Sequence, residues 1–344
     1  MNLLTIEGIS KVYTEKVLFD NISLGIQEGD RIGVLGINGT GKSTLLKIIA
    51  GVEEADNGTV VQGKKVRIAY LPQTPFLDEK LSILENVVKG KKAEESYRNL
   101  EGEAKAMLER LGISNVAALP KYLSGGQKKR IALVKTLLTQ ADILILDEPT
   151  NHLDHEMAEW LENYLNRYKG ALLMVTHDRY FLDKVTNKIV EIDRGKLYSY
   201  LANYSKFVEL KAQREEMTLA TERKNRSLYR MELEWMMRGT RARSTKQKAH
   251  IQRFEQLRDR EKIEIEKSIE MQSVSSRLGR KTIEIDSVSK GFDGVNLISD
   301  FSYILLPGDR IGIIGSNGCG KSTLLKLING SLKPDSGSIE VGQT

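Results

Sequence analysis

The sequence predicts an α/β chain in three parts. A parallel-sheet domain with a helical subdomain comes first, then a long α-helical hairpin, then the β-rich start of a second sheet domain. Three observations carry this. A glycine-rich turn, Gly36-Ile37-Asn38-Gly39-Thr40-Gly41-Lys42-Ser43, sits between a short apolar run and a helical stretch. It returns as Gly315-Ser316-Asn317-Gly318-Cys319-Gly320-Lys321-Ser322, at a constant offset of 279 residues from Gly36 to Gly315. Between the two copies, from about residue 205 to 280, the chain is strongly charged and free of proline, and it carries one glycine, Gly239, before Gly279.

Taken in order, residues 3–6 and 23–26 read as short strands, with Tyr13 on a turn between them. Residues 30–35 read as a buried strand and 44–50 as a helix. The turn between them fits G-x-x-x-x-G-K-[ST], a P-loop. Its glycines let the backbone wrap a phosphate, and the N–H groups of Gly39, Thr40, Gly41 and the helix start at Thr44 face the anion. Lys42 is placed to reach β- and γ-phosphates and Ser43 to sit on Mg²⁺. An aromatic at Tyr13 either stacks on an adenine or packs on the surface.

Residues 58–61 and 66–71 read as strands, the second ending at Pro72-Gln73. A glutamine leaving a strand beside a P-loop can reach Mg²⁺ and the attacking water. From 82 to 111 the chain reads as charged helix with Leu84, Val87 and Val88 on one face, the core of a helical subdomain of about 78–140. Leu123-Ser124-Gly125-Gly126-Gln127 opens a further helix through Leu138, with Ser124 as N-cap. Its two glycines give a second helix N-terminus that can approach a γ-phosphate. Residues 143–146 form a buried strand ending in Asp147-Glu148, and acids at that end of a parallel strand lie where open α/β sheets bind ligands. There Asp147 can hold Mg²⁺ through water, and Glu148 can orient or deprotonate the attacking water. Leu153-Asp154 reads as a turn. A last strand, 171–176, ends in His177, placed for a γ-phosphate contact, the plainer reading being a histidine satisfied within the fold.

The second copy repeats the pattern from about Ile285 onward. Ser289-Lys290 matches Ser10-Lys11, Phe292 matches Tyr13, and Gly308-Asp309-Arg310 matches Gly29-Asp30-Arg31. Gly315, Asn317, Gly318, Gly320, Lys321, Ser322 and Thr323 therefore take the phosphate-binding roles of their partners, with Ser322 on the metal. Cys319 stands at a variable P-loop position that tolerates a small residue.

Composition narrows the class. A chain of 344 residues with 40% hydrophobic residues supports more than one core. One cysteine excludes a disulfide framework and a cysteine-rich metal site. No apolar run reaches the length of a membrane span, and residues 1–4 lead into a strand pattern rather than a signal peptide. The expectation is a cytoplasmic protein without a membrane partner.

Together the P-loop, Gln73, Leu123 to Gln127, Asp147-Glu148, Asp154 and His177, in that order, resemble an ABC-type ATPase domain. More narrowly, residues 147–154, DEPTNHLD, and 176–182, THDRYFL, resemble the ABC-F family. The likeness extends through the connector and the start of the second copy, and finer placement points to a Uup-like branch. It implies ATP and Mg²⁺ as ligands, ATP hydrolysis, and two ATPase domains acting on the ribosome in translation or antibiotic resistance. Such domains pair head to tail, each P-loop facing the other's signature segment. The second domain in cis is the implied partner, with a homodimer as the other arrangement for these residues. The sequence holds two P-loops but one signature and one acid pair, so a chain truncated in its second domain is expected, binding ATP but hydrolysing it slowly.

The connector reads as two long helices, about 205–237 and 246–272, each about 40–50 Å long. Leu228, Met231 and Trp235 mark the apolar face of the first, Ile251, Phe254 and Leu257 that of the second. No acid lies between Glu234 and Glu255, while Arg238, Arg241, Arg243, Lys246, Lys248 and Arg253 do. A solvated charge run is the plain reading. Clustering of the positive charge at the tip, between helix bodies of mixed sign, favours a phosphate backbone as partner. The resemblance implies a linker that reaches toward transfer RNA and the peptidyl-transfer centre. The expected divisions are 1–204, 205–280 and 281–344. An ATPase subunit of a transporter and a DNA-binding ATPase are the alternatives.

Overall fold

The computed structural model describes residues 1–14, 16–89, 97–237, 252–256, 259, 283–292, 294–315 and 318–342. The chain divides into two compact units, Met1–Pro75 with Thr136–Pro149 and Leu165–Ile269, and Phe76–Lys135 with Thr150–Tyr164 and Glu270–Thr344. The architecture is α/β, as the sequence predicts.

In the first unit, β1 (Asn2–Tyr13), β2 (Lys16–Gln27) and β4 (Asn57–Gln62) form an antiparallel sheet in the order β2-β1-β4. Alternation buries Leu4 and Ile6 of β1 and Ile22, Leu24 and Ile26 of β2, and a register shift after Ile6 turns Ile9 inward as well. These strands run longer than the short apolar runs suggest. Tyr13 accordingly closes β1, paired with Lys16 across the hairpin, rather than sitting on a turn.

The main sheet has six strands: β3 (Arg31–Leu35), β5 (Ile68–Leu71), β6 (Ile143–Asp147), β7 (Ala171–Val175), β8 (Lys188–Asp193) and β9 (Lys196–Tyr200). Their order is β5-β6-β7-β3-β8-β9, and all pairs are parallel except β8 with β9. Every residue of β6 and β7 is buried, as expected of a parallel sheet covered on both faces. Helix α1 (Lys42–Ile49) buries Leu45, Leu46, Ile48 and Ile49 in one core with Ile6, Ile26, Ile145 and Leu173. Each such side chain contributes about 1.5–3 kcal/mol when fully buried.

Helix α6 (Arg179–Val185) follows β7, and α7 (Tyr204–Met237) follows β9. The base of α7 is held to the sheet by charge. The buried Glu191 carboxylate of β8 accepts from Lys211 Nζ at 2.6 Å and lies 3.0 Å from Arg214 Nη2. The Arg214 guanidinium also lies 3.8 Å from the Tyr198 ring centre. Farther along α7, Tyr229 stacks on Phe254 at 5.3 Å and Glu232 meets Arg253 at 3.4 Å. Position 229 faces 254 and 232 faces 253, so the returning segment runs antiparallel to α7, and residues 252–256 are helical. The face used is Tyr229 and the buried Glu232, whereas Met231 is exposed. Reading only apolar spacing placed Met231 inside because it could not anticipate a buried carboxylate answered by an arginine. Among the described residues no helix is long and apolar enough to cross a membrane.

In the second unit, α2 (Ile83–Val88), α3 (Tyr97–Arg110), α4 (Gly125–Leu137) and α5 (His155–Arg167) are the helices of the first copy. Ser82 and Glu85 form a capping box at the start of α2. Leu84 is only partly buried, and Ile83, Asn86, Val87 and Val88 form the inward face. Asn86 is satisfied by the carbonyls of Asp78, Leu81 and Ser82. The second copy supplies β10 (Ile283–Phe292), β11 (Val295–Leu305), α8 (Lys321–Ile328) and β12 (Ser336–Val341), the strands in the order β11-β10-β12. It repeats the β2-β1-β4 sheet and the α1 helix of the first copy. Residues 311–315, which repeat β3, form no strand.

Candidate nucleotide-binding site

The P-loop leaves β3 at Leu35 and enters α1 at Lys42. Lys42 Nζ donates back to the carbonyls of Gly36 at 2.7 Å and Ile37 at 3.2 Å, so the loop closes around its own ammonium. Burial pulls the Lys42 pKa down, against the opposing charges of Glu148 and Asp147. Gly41 has φ 95°, and a Cβ there would stand 2.8 Å from the Phe19 ring. At Gly36 a Cβ would meet Thr40 Oγ1 at 2.6 Å and the Ile192 carbonyl at 2.8 Å. Only glycine fits either position. Ser43 and Thr44 lie in the first turn of α1, which starts two residues before the predicted start at Thr44.

Beside the loop, β6 delivers Asp147 and Glu148, both buried. Glu148 has φ 52°, a left-handed backbone that a non-glycine residue rarely adopts. Its N–H donates to the Val175 carbonyl at 2.8 Å, fixing it to the end of β7. Its Oε1 lies 3.4 Å from His177 Nε2, and its Oε2 is buried with no hydrogen-bond partner among the described residues. Burial raises the Glu148 pKa, opposed chiefly by His177. The His177 side chain is itself 67% exposed. Asp178 next to it caps α6, accepting from the Phe181 N–H at 3.0 Å. Leu71 pairs with Leu146, so Gln73, exposed, leaves β5 two residues later on the Glu148 side. The ends of β3, β5, β6 and β7 thus bring Lys42, Gln73, Asp147, Glu148 and His177 to one edge of the sheet.

Tyr70 was missed by sequence reasoning. Its phenol is pushed up to about 12 by burial and by the charges of Asp147 and Glu53. The available signal was strand alternation, since Ile68 and Tyr70 both pack on the core under α1.

Residues able to hold a magnesium ion are present. Ser43, Asp147 and Gln73 offer only oxygen and amide donors, the set that suits a hard cation. The buried, unpartnered Glu148 Oε2 fits a site completed by a ligand or its water. Among the described residues no cluster of three His, Cys, Asp or Glu forms a cage. A phosphate-bound Mg²⁺ requires none, because it keeps waters and takes phosphate oxygens.

The signature segment belongs to the second unit. The Gln127 N–H donates to Ser124 Oγ at 3.3 Å, and the Ser124 N–H donates to Gln127 Oε1 at 2.9 Å. Ser124 is the N-cap as predicted, and Gln127 completes a capping box that the S-x-x-Q spacing encodes and sequence reasoning overlooked. The Leu123 N–H is taken by the Pro120 carbonyl at 3.1 Å. Gly126 lies against His152, where a Cβ would come within 3.1 Å of the ring. Asp154 Oδ1 accepts from the Met157 N–H at 3.0 Å, capping α5.

The second P-loop shares the local geometry of the first. Lys321 Nζ donates to the Gly315 carbonyl at 2.7 Å, and Gly320 has φ 101°. Gly318 and the exposed Cys319 precede Gly320, and Ser322 and Thr323 lie in the first turn of α8. Asn317 lies outside the described residues, as do Arg238, Arg241, Arg243, Lys246 and Lys248 of the connector. Arg253 is described and engages Glu232.

Comparison with known proteins agrees with this geometry. A family model described as "ABC transporter" matches residues 19–151 and 298–344. The chain belongs to the ABC ATPase family. A companion model of the same description matches residues 190–274, the stretch that contains α7. The chain is 43% identical to the uncharacterized ABC transporter ATP-binding protein YfmR of Bacillus subtilis, over all of this chain and 60% of that protein. It is 37% identical to the energy-dependent translational throttle protein EttA of Mycobacterium tuberculosis and 36% identical to that of Escherichia coli K12. Each of those alignments covers 99% of this chain and 68% of the relative. The chain therefore spans about two thirds of the length of these relatives. A solved ATP-binding subunit of an ABC transporter shares the fold with a TM-score of 0.54 and 23% identity, covering 61% of this chain and 99% of that one. A dimeric ATP-binding cassette bound to ADP and Pi does so at 0.51 and 24%, covering 58% of this chain and 98% of that one.

Proposed function

We propose that the chain is an ABC-F type ATPase that binds MgATP and acts on the ribosome. The observation that carries the ATPase reading is the convergence of Lys42 and Glu148, with His177, on one sheet edge. Residues 1–204 form the first ATPase domain, 205–280 the connector and 281–344 the second copy. The first P-loop cradles the phosphates with its N–H groups, and Lys42 exchanges its carbonyl contacts for β- and γ-phosphate oxygens. Ser43, Asp147 and Gln73 hold the magnesium ion, which supplies charge neutralisation at the phosphates. Glu148, its proton affinity raised by burial, takes a proton from the attacking water. His177 contacts the γ-phosphate, and Tyr13 and Phe292 stack on the bases of the two sites. Gly315, Asn317, Gly318, Cys319, Gly320, Lys321, Ser322 and Thr323 form the second cradle. Ser124 to Gln127 close over the γ-phosphate of a partner P-loop.

Within these 344 residues only the second P-loop has a signature to meet, and it has no acid pair of its own. These residues alone are expected to bind ATP and to turn it over slowly until a paired domain brings a signature segment to the first P-loop and completes its electrostatic clamp. The similarity to EttA, a translational throttle, supports a ribosomal partner and a cytoplasmic setting. The long polar α7 with its antiparallel return supports an arm that carries Arg238, Arg241, Arg243, Lys246 and Lys248 to ribosomal or transfer RNA phosphates, with Arg253 beside Glu232 toward the far end of α7.

Two measurements test this. Glu148→Gln is expected to keep ATP binding and to lower residual turnover by about 10²–10⁴; wild-type turnover in the variant would remove Glu148 as the base. Ribosome co-sedimentation across a salt series, with membranes and DNA as competitors, tests the arm. Replacing Arg241, Arg243 and Lys246 with Ala is expected to flatten the log K against log[salt] slope by about 2–3. An unchanged slope would leave the tip a solvated turn.

A further inference from the structure

The two copies of the fold hold their base-side aromatic in different ways. In the first, the Tyr13 hydroxyl donates to Glu53, which follows α1, and its phenol lies near the Thr44 side chain in the first turn of α1. Glu53 is mostly shielded from solvent, and it is flanked by Lys11 Nζ at 3.9 Å and Lys47 Nζ at 3.8 Å. The neighbouring frame is common to both copies. Lys11 bonds Asp56 and lies 5.5 Å from the Tyr13 ring centre, and Lys290 bonds Asp335 and lies 5.6 Å from the Phe292 ring centre. A matched pair of side chains differs within that frame. At the offset of 279 residues Tyr13 becomes Phe292, without a hydroxyl, and Glu53 becomes Leu332, without an acceptor. Leu332 packs on the small core of Ile285, Val288 and Leu327 instead. The acceptor is present where the donor is present and absent where the donor is absent.

We propose that Glu53 is a positioning residue for nucleotide base recognition at the first site, acting through Tyr13. It pins the Tyr13 ring beside Thr44 at the mouth of the P-loop, so that the stacking surface is set before nucleotide arrives. The second site, with Phe292 and Leu332, has an untethered ring and a weaker preference for a base over bare phosphates. The inference rests on the reading of Tyr13 as a residue that meets the base. The physical ground is preorganisation: a ring held in place by a hydrogen bond loses less freedom on binding than one that is not. A single hydrogen bond to a charged acceptor is enough to matter at this scale.

The test compares binding of MgATP with binding of magnesium tripolyphosphate, which has the phosphates but no base. It uses the 344-residue chain in a Lys321→Ala background, so that the first site is read. Glu53→Leu and Tyr13→Phe are each expected to weaken MgATP about three- to tenfold while leaving tripolyphosphate unchanged. The double variant, which installs the second copy's pair, is expected to be no weaker than either single variant, because both remove the same bond. Glu53→Gln keeps an acceptor oxygen and is expected to restore most of the affinity. Lys47→Ala, which breaks only the neighbouring ion pair, separates loss of the hydrogen bond from loss of charge. If Glu53→Leu or Tyr13→Phe binds MgATP like the wild type while Tyr13→Ala loses about tenfold, the positioning role is wrong and the base reading stands. If Tyr13→Ala leaves the ratio of MgATP to tripolyphosphate affinity unchanged, the base reading fails and this inference falls with it. Equal losses for both ligands would show that Glu53 shapes the P-loop rather than the base seat, which also overturns the proposal.

Discussion

Ile32 and Ile311 hold the same place in the two copies of the fold and meet opposite fates. Ile32 lies in β3, 0% exposed, between β7 and β8; Ile311 is 49% exposed in a stretch with no strand. Val34 and Ile313 repeat the contrast, at 0% and 38%. Yet the P-loop that follows is nearly the same in both, with lysine folded onto the first glycine's carbonyl at 2.7 Å. The left-handed glycine before α1 and before α8 differs by only a few degrees, φ 95° against 101°. The loop is encoded locally, by glycines and a lysine that bonds its own backbone. The strand feeding it is encoded by its neighbours: β7 and β8 supply the ladder that makes β3 a strand.

The largest expected effect tests that distinction directly. Ile32→Ala should cost about 2–5 kcal/mol, the range for a large-to-small change in a packed core. Ile311→Ala should stay within about 0.5 kcal/mol, as surface changes do. Urea denaturation of both variants measures this. Equal costs would mean that residues 311–315 are packed in solution and that the contrast between the copies is wrong.

The next effect concerns binding. Lys42→Ala should weaken MgATP at the first site by about a hundredfold or more, since it removes the half-buried ammonium to which the proposed function gives the phosphate contact. Lys321→Ala should remove only the second, weaker site and leave the first unchanged. Titration stoichiometry separates the two. A loss of both sites on Lys321→Ala would show that they are coupled.

Smaller still is the tether of α7. Glu191 is buried between Lys211 and Arg214. Glu191→Ala should cost about 3 kcal/mol or less, because a broken buried pair costs roughly 3–5 and both cations here reach solvent. Glu191→Gln should recover part of it through hydrogen bonding. Protection of the α7 amides against hydrogen exchange should fall in the first variant. Unchanged protection would show that Phe207 and the Tyr198 and Tyr200 rings hold the helix without the charge.

Sequence legibility follows the same division between local and tertiary encoding. The P-loops, the Ser124 cap, the Asp147-Glu148 strand end and the α7 limits were all readable, because each depends on residues within a few positions. The predicted start of α7 near Ser205 and its end near Met237 match Tyr204 and Met237. What was not readable depended on distant partners. The left-handed Glu148 owes its position to the Val175 carbonyl. Buried Glu232 is explained only by Arg253, and the raised Tyr70 phenol by its burial, with the charges of Asp147 and Glu53 added. The Tyr13–Glu53 bond joins residues forty positions apart, and only alignment of the two copies would have suggested it.

The smallest effect concerns charge in the first copy alone. Burial raises the Glu148 pKa above its ordinary 4.5, so the folded protein prefers the protonated acid. The sign is the reverse of that for a paired carboxylate. Well below its ordinary 4.5 the group is neutral in both states and costs nothing. As pH rises through the raised folded value the native site must hold a buried anion, and stability falls to a plateau. His177 and Lys42 oppose the shift, and Glu148 is near a histidine that reaches solvent, so the cost is modest. Glu148→Gln removes the ionisation and keeps the shape. Its melting temperature should match the wild type near pH 4 and exceed it at pH 7–8, where the wild-type site holds the buried anion. Thermal melts of both proteins from pH 4 to 8, without nucleotide, measure it. A difference that is constant across that range would mean the neighbouring cations compensate the buried charge in full. The unpartnered Glu148 Oε2 would then carry no strain for bound water to relieve.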